Sequence, residues 1–184
     1  MVTFSANLGF LWADLPLPSA IRAAKAAGFD AVECHWPYAT PTTEITAALR
    51  DTGLEMLGLN TPKSAGGIGQ FGLCALPGQE TLARSVIDKS LDFANEIGAR
   101  CLHVMAGIAS GPAAQESFCA ALTYACHQAK QSGVTILIEP LNRYDVPGYF
   151  LSSLAQAEEI ITSVNQSNLK LMFDCYHVGR TEGD

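Results

Sequence analysis

The stretch that decides the fold is residues 135–140, which read TILIEP. A short apolar run with β-branched residues is typical of a strand buried on both faces of a parallel sheet. Pro140 has no backbone N–H, so the strand ends there, with Glu139 at its carboxyl end. Burying a carboxylate at a strand end is costly unless it has a partner. The stretch therefore predicts an interior strand that carries a functional carboxylate, with a salt bridge at the rim as the alternative.

A second stretch repeats this arrangement. Residues 169–173 read LKLMF, and Asp174 follows directly. The carboxyl ends of neighbouring parallel strands meet at the same edge of a sheet, with the strands about 4.8 Å apart. We therefore expect the carboxylates of Glu139 and Asp174 to lie within about 6 Å of each other, close enough to share one divalent cation. The alternative role for Asp174 is a helix N-cap.

Outward from these two strands, apolar runs alternate with helical segments along the whole chain. Earlier strands are predicted at 2–8, 31–34, 54–59 and 101–105. The intervening helices are predicted to end at glycines such as Gly53 and Gly98, because glycine tolerates the left-handed backbone that follows a helix. Strands alternating with helices predict an α/β fold with a parallel sheet and right-handed connections.

Two architectures fit this alternation, an open doubly wound sheet and a (β/α) barrel. No G-x-G-x-x-G motif follows the first strand, which weakens the dinucleotide-binding version of the open sheet. Polar residues follow the strands instead: Asn7, Glu33, His35, Asn60, His103, Glu139, Asp174 and His177. A ring of polar residues at strand ends is typical of a barrel active site, so we predict a TIM-type barrel.

The number of strands predicts an incomplete barrel. About six of the eight βα units that such a barrel needs are recognisable, so residues 1–184 are expected to form a single domain without strands seven and eight. The first and sixth strands would then be edges with unpaired backbone groups. Such edges favour a homo-oligomer in which a second copy covers them.

Composition excludes several function classes. The net charge is −7 and no Lys/Arg run is present, which argues against a nucleic-acid partner. No apolar run reaches the roughly 18 residues of a membrane span, and the N-terminus lacks the pattern of a signal peptide. The six cysteines form no C-x-x-C pair, which predicts free thiols in a reducing cytoplasm.

A long loop is predicted at residues 60–79, between the third strand and the next helix. It contains several glycines and one Pro-Gly pair, and loops of this length in a compact domain are usually functional. Because it follows a strand, it should lie on the active-site side of the barrel. We predict that it covers the mouth as a lid.

Four further residues are candidate substrate contacts. His177, three residues past Asp174, is expected on a loop at the mouth, where it would donate a hydrogen bond to a substrate oxygen or, as the less favoured role, ligate the metal. His103 lies in the fourth predicted strand, so its alternative is a satisfied core histidine. Arg143 and Asp145 follow Glu139 closely. They would contact substrate or pair with each other.

One segment resembles a known family. Residues 138–142, IEPLN, continuing to residues 145–151, DVPGYFL, resemble the signature of the hydroxypyruvate isomerase family, part of the wider xylose isomerase-like barrels. Residues 4–8, 72–78 and 173–177 resemble it less specifically. The resemblance implies a divalent metal ion, Mg²⁺ or Mn²⁺, held by Glu139 and Asp174, with Glu139 also catalytic. It further implies a second catalytic Glu near an eighth strand and another ligand near a seventh.

The resemblance also implies a reaction. A metal-dependent isomerase of this kind converts hydroxypyruvate to tartronate semialdehyde by a 1,2-proton shift through a cis-enediol. Three alternatives stay open: a 2-oxo-tetronate isomerase, a ketose epimerase on the same barrel, and a catalytically incomplete fragment that acts only as an oligomerising module. An abasic-site endonuclease of the same superfamily would need several metal-binding histidines and a basic face, and four histidines with a net charge of −7 argue against it.

Overall fold

The computed structural model describes residues 2–63 and 71–183, in which strands and helices alternate. The strand segments are β1 (Ser5–Asn7), β2 (Ala31–Glu33), β3 (Glu55–Met56), β4 (Gly58–Asn60), β5 (Cys101–His103), β6 (Thr135–Ile138) and β7 (Leu169–Leu171). The α-helices are α1 (Leu17–Ala26), α2 (Thr42–Thr52), α3 (Glu80–Ile97), α4 (Pro112–Ala129), α5 (Leu154–Val164) and α6 (Cys175–Glu182). Most strands are shorter than predicted, but their order is the predicted one.

The third predicted strand, 54–59, is divided in the structure. All strand pairs are parallel, and β3 pairs with β2 whereas β4 pairs with β5. Between them, the N–H of Leu57 donates to the carbonyl of Val32 at 2.7 Å, and the N–H of Cys34 donates to the carbonyl of Gly58 at 3.0 Å. The two sheets are therefore joined into one curved sheet. The twist and tilt that a barrel requires account for the interruption.

The curved sheet is open at both ends. Within residues 2–63 and 71–183, β1 pairs only with β2, and β7 pairs only with β6. The structure thus confirms an α/β barrel type whose sheet does not close. Pairing of β1 or β7 with a second copy of the chain stays a prediction.

The alternation of side chains along β6 separates the core from the interior of the barrel. Ile136 and Ile138 are fully buried against the hydrophobic core. Leu137 and Glu139, one residue out of phase, line a cavity at the carboxyl end of the sheet. A period of two residues therefore puts the apolar pair towards the helices and turns Glu139 towards the cavity.

None of the six cysteines forms a disulfide bond, in agreement with the predicted free thiols. Three of them, Cys34, Cys74 and Cys126, are buried in the core. In the described part of the chain, no helix combines the length and apolar character that crossing a membrane requires.

The described flanks of the predicted lid loop lie at the carboxyl ends of the strands. Phe71 lines the cavity there. Gly72 forms a bridge with Ala106 and has φ +97°, a conformation that side chains disfavour. A Cβ on Gly72 would lie 2.3 Å from the carbonyl oxygen of Met105. Residues 64–70, on which the lid prediction also depends, lie outside the described residues.

Gly72→Ala tests this close approach, because it adds both backbone strain and a clash with Met105. We expect it to lower the free energy of unfolding by roughly 2–4 kcal/mol, measured by urea denaturation. Gly78→Ala is the matched control, since Gly78 has φ +80° but nothing within 4 Å of an added Cβ. It should cost about 1 kcal/mol from strain alone. Equal losses of unfolding free energy in both variants would show that the close approach of Gly72 to Met105 does not contribute to stability.

Candidate active site

A cavity of about 760 Å³ opens at the carboxyl ends of the strands. The eight polar residues that the sequence predicted to follow the strands all line it: Asn7, Glu33, His35, Asn60, His103, Glu139, Asp174 and His177. A cavity of this size with convergent polar groups is typical of a small-molecule site.

Glu139 and Asp174 converge at this mouth. One ligand atom from each of Glu139, Asp174 and His177 lies within 4.8 Å of the other two. This separation agrees with the predicted limit of about 6 Å. The Oδ1 atom of Asp174 also accepts hydrogen bonds from the N–H groups of Tyr176 (2.7 Å) and His177 (3.0 Å) at the start of α6. Asp174 is thus a helix N-cap, and its Oδ2 atom is left for a second partner.

Glu139 is held in an unfavourable environment for a charged carboxylate. Burial, with smaller contributions from the neighbouring charges of Asp174 and Glu33, raises its pKa to about 8. Among the described residues, no Lys or Arg lies within 4.0 Å of the Glu139 carboxyl group; the one basic side chain at that distance is His103, with Nδ1 3.7 Å from Oε2. The rim salt bridge considered from sequence is therefore not present in this part of the chain. Clustered oxygen ligands that lack a cationic side chain suit a divalent cation, which would hold them together.

His103 is a neutral group at the base of the cavity. Its side chain is 3% exposed, and burial, with a smaller contribution from His35, lowers its pKa to about 3. Nδ1 lies 3.3 Å from Oδ1 of Asn60, which suits an N–H donor on that nitrogen. Nε2 is buried without a partner among the described residues. Because His103 is neutral, its contact with Glu139 is not an ion pair.

His177 lies in the first turn of α6 and not on a loop, so the predicted local structure is wrong. The helix starts here because Asp174 caps its first turn. No residue of α6 is buried, so the sequence contains no apolar stripe from which the helix could be predicted. Its Nδ1 atom lies 3.1 Å from the backbone nitrogen of Asn142 and 2.8 Å from Nδ2 of the same residue. The ring still lines the cavity, at the position the sequence predicted.

Arg143 and Asp145 lie next to the cavity and do not line it. Arg143 stacks on the ring of Tyr144, 5.3 Å from its centroid, and is directed to solvent. Asp145 accepts hydrogen bonds from Nδ2 of Asn142 (2.8 Å) and from the hydroxyl of Tyr176 (2.7 Å). In the described chain the two residues do not form the mutual salt bridge considered from sequence.

Two residues that the sequence did not predict as catalytic, metal-binding or substrate-binding residues belong to the site, Glu33 and Asn142. Glu33, at the end of β2, lines the cavity, and burial raises its pKa, with Asn7 opposing the shift and Asp174 adding to it. Its position after a strand was the available signal. Asn142 is fully buried beneath His177, and only its place inside the segment 138–142 marked it in the sequence.

A sequence profile of the xylose isomerase-like TIM barrel matches residues 21–184. The chain belongs to this family. A 2-oxo-tetronate isomerase of Cupriavidus necator is 38% identical over 188 residues, which cover 100% of this chain and 72% of that protein. A Xenopus laevis protein provisionally named hydroxypyruvate isomerase is 37% identical over 184 residues, covering 95% of this chain and 67% of that protein. These relatives confirm the resemblance that residues 138–151 carried.

Solved structures agree with the family. A crystal structure described as AP endonuclease, family 2, from Brucella melitensis has a TM-score of 0.94 at 33% identity, covering 100% of this chain and 72% of that one. An L-ribulose 3-epimerase has a TM-score of 0.77 at 21% identity, covering 100% of this chain and 64% of that one. At that identity the second similarity shows the fold alone.

The raised pKa of Glu139 predicts a pH-dependent loss of stability. The unfolded carboxyl group ionises near pH 4.5 and the folded one near pH 8. Between these values the folded state binds more protons, so stability falls as pH rises, by up to about 1.4 kcal/mol per pH unit, and the loss is complete above pH 8. With EDTA present, Glu139→Gln should remove this component and become more stable than wild type towards pH 8.

Urea denaturation from pH 4 to pH 9 measures the effect. The exposed Glu96→Gln is the matched control, because it makes the same chemical change on the outer face of α3. It should leave the pH dependence of wild type unchanged. Parallel curves for Glu139→Gln and wild type would show that Glu139 ionises normally in the folded chain.

Proposed function

We propose that the chain is a metal-dependent isomerase of small hydroxy-carbonyl acids, which converts hydroxypyruvate to tartronate semialdehyde. The observation that carries the proposal is the largely buried carboxyl group of Glu139, 13% exposed, beside Asp174 at the mouth of a barrel whose relatives are named isomerases. These relatives support the coarser statement, an isomerase of small keto acids. Mg²⁺ or Mn²⁺ suits the two carboxylates, because both ions prefer oxygen ligands.

Glu139 and Asp174 would hold the ion, through the Oδ2 atom of Asp174 that the helix cap leaves free. When bound, the ion would polarise the carbonyl and hydroxyl oxygens of the substrate and stabilise developing negative charge. The chain's own contribution is to desolvate the carboxylates and to present hydrogen-bonding groups around the substrate. His103 and His177 line the cavity and are proposed as substrate contacts, with Arg143 and Asp145 beside its rim.

The proton transfer is assigned to Glu139. Its carboxylate takes a proton from the hydroxyl-bearing carbon; the electron pair of that C–H bond forms the C=C bond of a cis-enediol, and the carbonyl oxygen gains a proton. Delivery of the proton to the neighbouring carbon, with loss of the other hydroxyl proton, completes the shift. Burial and two neighbouring acids raise the pKa of Glu139 in the metal-free chain. A bound cation would lower it again and keep the carboxylate ionised, which is the form that takes a proton.

Two alternative substrates share this chemistry. A 2-oxo-tetronate isomerase is supported by the relative from Cupriavidus necator, and a ketose epimerase uses the same kind of barrel. The cavity of about 760 Å³ has room for substrates of three to six carbons, so its size does not separate them. A catalytically incomplete fragment that acts only as an oligomerising module is the remaining alternative.

A nucleic-acid substrate is the less favoured reading of the structural similarity to the protein described as AP endonuclease, family 2. Three of the cavity residues are acidic: Glu33, Glu139 and Asp174. The chain has a net charge of −7. Phosphate backbones are bound by clustered positive charge, and the described residues that line this mouth include no Lys or Arg. We therefore propose a small-molecule substrate.

A substrate panel tests the proposal. Hydroxypyruvate, 2-oxo-tetronates and ketoses would be assayed with Mg²⁺ or Mn²⁺, on the 184-residue chain and on any longer chain that contains it. We expect turnover of hydroxypyruvate that requires the metal, with Glu139→Gln reducing kcat by at least about 100-fold, because it removes the base while keeping the shape.

Glu96→Gln again serves as the control and should retain wild-type turnover. Near-normal turnover by the folded Glu139→Gln variant would assign the proton transfer elsewhere. Turnover of ketoses or 2-oxo-tetronates without any turnover of hydroxypyruvate would replace the proposed substrate by the corresponding alternative.

A further inference from the structure

Asn142 is a fully buried polar residue whose carboxamide is completely engaged. Its Oδ1 atom accepts hydrogen bonds from the N–H groups of Tyr144 (3.1 Å) and Asp145 (3.0 Å). Because backbone N–H groups only donate, the oxygen of the carboxamide must be the atom that faces them. The Nδ2 atom is thereby assigned to the other side, where it donates to Oδ2 of Asp145 at 2.8 Å.

The second hydrogen of this amide points to His177. Nδ2 of Asn142 lies 2.8 Å from Nδ1 of His177, and the backbone nitrogen of Asn142 lies 3.1 Å from the same ring atom. Nδ1 of His177 therefore faces two donors from one residue. A ring nitrogen in that position must be an acceptor, and a neutral imidazole with an acceptor at Nδ1 carries its proton on Nε2.

We propose that Asn142 is a positioning residue that holds His177 in the Nε2–H tautomer, so that the ring presents a hydrogen-bond donor to a ligand oxygen in the cavity and is not a metal ligand. A metal bond needs a lone pair, and Nε2 has none in this tautomer. The three converging groups are thus divided: Glu139 and Asp174 provide oxygens for a cation, and His177 provides a proton. The tautomer stands independently; only the nature of the ligand oxygen, on a hydroxy-carbonyl substrate, rests on the proposed function.

The surrounding contacts keep the ring in place. Asp145, bonded to Nδ2 of Asn142, also accepts from the hydroxyl of Tyr176 at 2.7 Å. Tyr176 and His177 are neighbours in the first turn of α6, which Asp174 caps. The segment after β6 is therefore hydrogen-bonded to two successive residues at the start of α6, Tyr176 and His177. This arrangement fixes the direction of the imidazole as well as its proton.

Nitrogen-15 NMR of the histidine side chains tests the tautomer in the wild-type chain. At about pH 8.5, two units above the ordinary pKa of histidine, two-bond ¹H–¹⁵N correlations distinguish the two neutral tautomers. The signals of His177 are assigned by their loss in His177→Gln. We expect an unprotonated Nδ1 and a protonated Nε2. A protonated Nδ1 with an unprotonated Nε2 would overturn the inference.

Asn142→Asp tests whether the amide is responsible. It replaces the Nδ2 donor by an oxygen that only accepts and leaves the backbone N–H of residue 142 in place. The Nε2–H tautomer should therefore lose a measurable part of its population to forms with a proton on Nδ1. Asn95→Asp makes the same change on the exposed face of α3 and should leave the His177 signals unaltered. An unchanged tautomer in a folded Asn142→Asp chain would contradict the role of the side chain.

Circular dichroism shows whether the Asn142→Asp chain folds. If it does not fold, the wild-type spectrum alone still determines the tautomer of His177. The outcome is separable from the isomerase proposal. An Nε2–H tautomer in a chain that turns over none of the panel substrates counts against the proposed function and leaves this inference standing. Turnover with the opposite tautomer counts against the inference alone.

Discussion

The site depends on one costly feature, the burial of the Glu139 carboxyl group at the end of β6 beside two further acids. Burial, together with the charges of Asp174 and Glu33, raises its pKa to about 8. No Lys or Arg of the described chain neutralises the cluster. A group of acids in this position is stable only when it holds a proton or a cation. The same electrostatic penalty therefore accounts for the raised pKa of Glu139 and would favour the divalent ion that we propose at this site.

The rest of the fold serves to hold this cluster in place. The period of two along β6 turns Glu139 into the cavity while Ile136 and Ile138 anchor the strand in the core. Parallel pairing of β6 with β7 brings Asp174 to the same mouth, and the cap on α6 fixes one of its oxygens. The buried Asn142 then orients His177 towards the same space. Sheet register thus places the acids, and hydrogen bonds after the strands orient the groups around them.

Much of this arrangement follows from local sequence. Strand positions and helix ends could be predicted because apolar periodicity, Pro140 and the glycines act over a few residues. All eight polar residues expected after the strands line the cavity. The division of the third strand could not be predicted, since it depends on which neighbour each half pairs with.

The surroundings of His177 were beyond the sequence for a related reason. Helix α6 has no buried residue, so no apolar stripe marked it, and its start depends on the cap by Asp174. The contact between Asn142 and His177 joins residues 35 positions apart. Burial and long-range contacts of this kind also set the pKa of Glu139. Neither the burial of a residue nor its long-range contacts can be read from the residue types alone.

The most direct test of the account is the number of protons released when the metal-free chain binds Mn²⁺. Calorimetric titration at pH 7 in two buffers with different ionisation enthalpies gives this number. Because the folded Glu139 is largely protonated at pH 7, a cation held by Glu139 and Asp174 must displace that proton, so wild type should release about one proton per ion bound. Glu139→Gln should bind more weakly and release none. Binding without proton release in wild type, or no binding of Mn²⁺ at all, would contradict the account.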